Sequence, residues 1–143
     1  MNLVRIYNWT WALTIGWILF ILYILSSIIF ASTVIGFFHI DKIWHFALYA
    51  FMPFDKKIIL DESIDRNSLE YSVITALWVL FGGIIVIVVH ATLGIGFLAS
   101  LVFVPFGAEN MKLVNCMAIP FAGKWIPLTD QEIEELDFWP HIS

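Results

Sequence analysis

The chain has 143 residues, 61% of them apolar and only 13% charged, whereas an ordinary soluble domain carries roughly 45–50% apolar and about 25% charged residues. That balance argues against a water-soluble fold. The net charge of −5 includes no basic patch for nucleic acid, and the single cysteine, Cys116, allows neither an internal disulfide nor a Cys/His spacing for zinc.

In chain order, Arg5 precedes an uncharged run over residues 9–38. The run is about twice the length of a secretion-signal core and no small-x-small cleavage site follows it, so an uncleaved span is expected. A helix rises about 1.5 Å per residue, so this run reaches about 45 Å, and a second run, residues 71–108, about 57 Å, against roughly 30 Å of hydrocarbon. Each run is read as one transmembrane helix, its surplus absorbed by tilt or by a break at Gly36, Gly94 or Gly96. After each comes a shorter apolar piece, residues 43–54 and 113–121, too short to cross. These are expected as interfacial or re-entrant helices stopped by Pro53 and Pro120, with Trp44, His45 and Tyr49 at headgroup level. Residues 55–70 hold eight charges and read as a solvated connector. In the acidic tail, residues 127–143, Thr129 and Glu132 form a capping-box pattern that opens a short helix.

Sliding the sequence over itself by 67 residues aligns 11–59 with 78–126 without a gap, at ten identities. The informative ones are Trp11 with Trp78, Gly16 with Gly83, Pro53-Phe54 with Pro120-Phe121, and Lys57 with Lys124. The fold expected is an all-α integral membrane protein, with two long and two short helices as a tandem repeat. Unit A covers about 9–59 and unit B about 72–126. Two units that each cross once point in opposite directions, which makes the repeat inverted.

In the second half, Trp78-x4-Gly83, His90-x3-Gly94, Pro105-Phe106-Gly107, Asn110-Met-Lys112 and Pro120-Phe121 resemble the YccF-type inner membrane component family of bacteria. The first half looks like a more diverged copy of the same unit. The second Pro-Phe is followed by Ala122 and the first by Asp55, where the family usually has glycine after it. The resemblance implies a multi-pass protein of the bacterial inner membrane and no established activity.

His90 lies near the centre of the second run, where an ionisable group usually faces a protein interior or a water-filled path. The alternative is a neutral imidazole bonded to a helix carbonyl or to Thr14, Ser26 or Ser27. No carboxylate lies within the run beside it, so neither a complete proton relay nor a metal site is expected in one chain. Thr92, Gly96 and Ser100, Ser27 with Ala31, and Ser32 with Gly36 follow small-x3-small spacing; they read as helix-packing ridges, or else Ser26, Ser27, Ser32, Thr33, Thr92 and Ser100 form a hydroxyl stripe along a pathway. Gly107, Asn110 and Lys112 follow a proline-glycine turn and are candidates for an anion site, against a plain turn capped by Asn110. Trp44, Trp78, Trp125 and Trp139 are expected as interfacial anchors.

Cys116 has no His or acidic group held near it by spacing, and no phosphate loop or serine elbow is present, so neither an enzyme nor a cofactor is expected. The leading expectation is a homo-oligomeric channel or transporter-like assembly in the lipid bilayer for a small ion or solute. The other is a non-conducting accessory protein that binds a partner or lipid through its short helices and acidic tail.

Overall fold

The computed structural model describes residues 2–138. Asn2 accepts the Arg5 amide at 3.0 Å and so caps a long helix. This helix comprises α1 (Leu3–Trp11), a π-turn (Ala12–Gly16) and α2 (Trp17–Ala31). Ser68 caps its counterpart in the same way, through the Tyr71 amide at 3.1 Å. The counterpart comprises α5 (Leu69–Trp78), a π-turn (Val79–Gly83) and α6 (Ile84–Ala99). Both are long and apolar enough to cross a membrane, at 29 and 31 residues.

The breaks do not fall where glycine was expected to make them. The first helix ends when the Ser32 and Thr33 hydroxyls turn back onto the Ile29 and Phe30 carbonyls; Thr33 then caps α3 (Val34–Phe37) through the Gly36 amide. The second ends at Ser100 and turns through Leu101, which adopts φ 59°. Gly94 and Gly96 stay inside α6.

Each long helix is then backed by a second helix, α4 (Ile40–Phe51) and α7 (Val104–Ala118). The prolines do stop them: Pro53 and Pro120 follow their last turns. The helix α7 is longer than expected because Pro105, Phe106 and Gly107 form its first turn. A proline there lacks only an amide that the helix start leaves unbonded.

The charged connector corrects the all-α expectation. Its first part is β1 (Lys56–Leu60), paired antiparallel with β2 (Gly123–Pro127). The central pair of this ribbon is Ile58 with Trp125. After β2, Thr129 and Glu132 close a reciprocal capping box and open α8 (Asp130–Phe138), as the sequence predicts.

The two long helices run antiparallel. As residue numbers rise along the first they fall along the second: Ser26 meets Gly82, and the Phe30 ring lies 5.5 Å from Trp78. Further out, His39 approaches Glu70 at 3.9 Å. The core sits between this pair and α4, α7 and the ribbon, with Trp11, Tyr23, Phe30, Phe46, Tyr49 and Trp78 wholly buried.

Candidate functional site

In each half a tryptophan ties the long helix to the one behind it. The Trp11 indole donates to the Ala50 carbonyl and Trp78 to the Met117 carbonyl, both at 2.8 Å and both across 39 residues. The π-turn explains the motif Trp-x4-Gly. Its wider turn brings the residue five positions on beneath the indole, and only glycine leaves room: a Cβ on Gly83 would lie 2.4 Å from Trp78 Nε1. The indole Nε1–H is then free to reach the facing carbonyl. Trp78 is thus a buried strut rather than an interfacial anchor. Trp44 is half exposed and donates to Ser27 Oγ at 2.7 Å, Trp125 stacks on His45 at 4.6 Å, and Trp139 lies outside the described residues.

At the centre, Tyr23 Oη is 2.9 Å from His90 Nε2, and His90 Nδ1 is 2.8 Å from Asn110 Oδ1. The Asn110 amide nitrogen donates to the Phe106 carbonyl at 2.9 Å, which leaves its oxygen to accept from His90 Nδ1–H. In the neutral imidazole with its proton on Nδ1, Nε2 accepts from the tyrosine hydroxyl. Both ring nitrogens have a partner and the ring is wholly buried, so His90 is a buried structural link between α2, α6 and α7. Its partners are Tyr23 and Asn110, not the hydroxyls of Thr14, Ser26 or Ser27.

The helix that carries Asn110 also buries a carboxylate. Glu109, next to Asn110, is buried with its side chain 3% exposed; it accepts from Tyr49 at 3.0 Å and from Lys112 at 2.7 Å. Lys112 itself reaches solvent. The sequence signal is the i, i+3 spacing of Glu109 and Lys112, which becomes a pair because α7 already begins at Val104.

The other candidates do not converge. Ser32, Thr33 and Ser100 cap helix ends through carbonyls of their own chain segment, at 2.6–2.7 Å. Thr92 donates to the Val88 carbonyl on an exposed face. Ser26 and Ser27 are buried, so no continuous hydroxyl stripe forms within the chain. Gly36 is buried against the Phe30 carbonyl and Ala31 closes α2. Gly94 packs on Met111 of α7, whereas Gly96 faces open space on the same side as Thr92 and Ser100. The anion site is corrected too. Gly107 lies against Leu98, Asn110 against His90 and Lys112 on Glu109, so their groups point to three different partners.

A groove of about 390 Å³ opens beside the ribbon, with Ile58, Leu60, Cys116 and Ile119 in its lining and Lys57 and Lys112 among its polar residues. The corresponding place in the other half is closed. Trp125 stands 67 positions after Ile58 and its ring lies on His45, donating to the His45 carbonyl at 2.7 Å. Burial pushes the Cys116 thiol up to about 12, which leaves it protonated and inert at neutral pH.

The stretch from α1 through the Trp11 strut to the opening of β1 is the part that comparison with known families picks out. Residues 6–56 match the YccF inner membrane component domain. This matched segment is the half that reads as the more diverged copy, since it has Phe38-His39-Ile40 where the second half has Pro105-Phe106-Gly107. No curated protein and no solved structure matches the chain. The YccF match and the two candidate spans together support a membrane location.

Proposed function

We propose that the protein is a non-conducting membrane component built from two copies of one unit, their long helices antiparallel. Support for the repeat comes from elements that recur 67 positions apart: the π-turns, the indole struts and the two strands. A single offset that reproduces both hydrogen-bond partner and turn type is a stronger signal than ten identities between apolar segments. The YccF match covers the first of the two units.

The observation that carries the non-conducting reading is the sealed Tyr23–His90–Asn110 chain amid fully buried aromatic rings. An ion path through one chain needs polar groups open to it, and here the central imidazole is wholly buried and bonded at both nitrogens. What remains for interaction is the outside: the ribbon, the acidic α8, and a small-residue ridge at Thr92, Gly96 and Ser100 that suits a second copy in lipid.

Flux through liposomes that contain only this chain tests the reading. The expected result is no flux above empty liposomes under any ion gradient. A selective flux that disappears in Gly96→Leu would overturn it in favour of an oligomeric channel, in which the pathway lies between chains.

A further inference from the structure

Both long helices keep one side uncovered along their whole length. On the first, Ile6, Leu13, Ile21 and Ile28 are exposed in succession; on the second, Leu80, Val88 and Ile95 occupy the matching positions 67 residues later. The segments that follow these helices are uncovered and apolar as well, with Phe38 at 73% and Leu101 at 82% exposure. Charge lies elsewhere. It sits on α4, the ribbon, α7, the connector and α8, where Lys57 pairs with Glu132, and Lys42 and Lys124 both approach Asp61. Within the two long helices charge occurs only in the first turn, as Arg5 and Glu70.

The ribbon fixes what this segregation means. Tyr23 with His90, and Ile58 with Trp125, are both contacts between positions 67 apart. Each pair therefore lies on the local twofold that relates the halves. In upright inverted repeats such an axis lies in the membrane plane at mid-depth. Lys57 and Lys124, one position from the central ribbon pair and with side chains still 41% and 44% exposed, would then sit within about 3.4 Å of strand from the bilayer centre. Their ion pairs with Glu132 and Asp61 leave both ammonium-bearing side chains more than 40% exposed, and lipid at mid-depth offers that exposed part no water.

We propose that the two long helices lie flat in one leaflet, their shared apolar face and both following segments embedded in acyl chains, while the ribbon and α8 stand in water. The occupant of the exposed face is the bilayer itself. The inference rests on the membrane reading above and replaces crossing by in-plane seating. It accounts together for the unbroken stripes, the apolar segments at their ends and the charges at mid-length. A helix of about 44 Å exceeds about 30 Å of hydrocarbon, a surplus that a spanning helix has to tilt or place among the headgroups and that an in-plane helix does not have.

The test is the depth of nitroxide labels in the full chain reconstituted in liposomes, read by accessibility to oxygen and to a water-soluble nickel chelate. Labels on Ile6→Cys, Leu13→Cys, Ile21→Cys and Ile28→Cys are expected to be uniformly oxygen-rich and nickel-poor. Labels on Lys57→Cys and Lys124→Cys are expected to be nickel-accessible. The matching set Leu80→Cys, Val88→Cys and Ile95→Cys gives the same readout if a first-helix variant misfolds. A depth that rises and then falls along either stripe, or a nickel-shielded ribbon, would overturn the in-plane seating and leave the membrane reading standing. A chain that does not float with the liposomes would overturn the membrane reading itself.

Discussion

Trp11 and Trp78 each bury a whole indole and spend its one donor on a carbonyl of the helix behind. Replacing either by phenylalanine keeps much of the ring and removes the donor, so a buried carbonyl loses its partner at a cost of about 1–3 kcal/mol. We expect Trp11→Phe and Trp78→Phe to lower stability by similar amounts, measured by denaturant unfolding in detergent. Unequal losses, with one variant indistinguishable from the parent, would break the equivalence of the two struts. The tryptophans and glycines of this motif stand out in the sequence because they recur at one offset. Their partners do not, since Ala50 and Met117 act through backbone oxygens that any residue supplies. His90 was legible as a buried polar group, but its partner Tyr23 was not, because the contact crosses from one half to the other.

The elements were legible where periodicity and caps are local. Apolar runs without charge announce the two long helices, and the Thr129–Glu132 box announces α8. The strands were hidden, because five residues such as Lys56–Leu60 pair only with a segment 67 positions away and carry no alternation of their own. The first turn of α7 was hidden by Pro105, which reads equally as a helix start or a loop. At this scale the acidic tail carries a pH prediction. Hydrogen bonds from Lys57 and from the Thr129 amide and hydroxyl hold the Glu132 carboxyl down to about 2, from a usual 4.5. A carboxyl depressed in the folded state stabilises it above the unfolded value and loses that effect as pH falls toward the folded one. Protection of the amides across residues 129–135, taken relative to the intrinsic exchange rate at each pH, is therefore expected to fall between about pH 4.5 and 2. In Glu132→Gln the pH dependence should flatten; an unchanged profile would show that α8 docks without this contact.

For the whole molecule, the question is what the apolar outer face meets. Hydrophobic residues left uncovered along two helices of 29 and 31 residues form a patch far larger than a soluble monomer exposes, and composition alone signalled that much. Which side carries the charges could not be read from the sequence, since it depends on the ribbon that folds Lys57 and Lys124 onto one face. A charged side chain at the bilayer centre costs roughly 2.5–3.5 kcal/mol, so the placement of these two lysines weighs as much as several buried leucines. The account stands on the exposed face of the long helices being held in lipid. Sedimentation of reconstituted vesicles after an alkaline carbonate wash tests this most directly. The chain should remain with the vesicles and leave only with detergent; recovery in the wash, without detergent, would contradict the account.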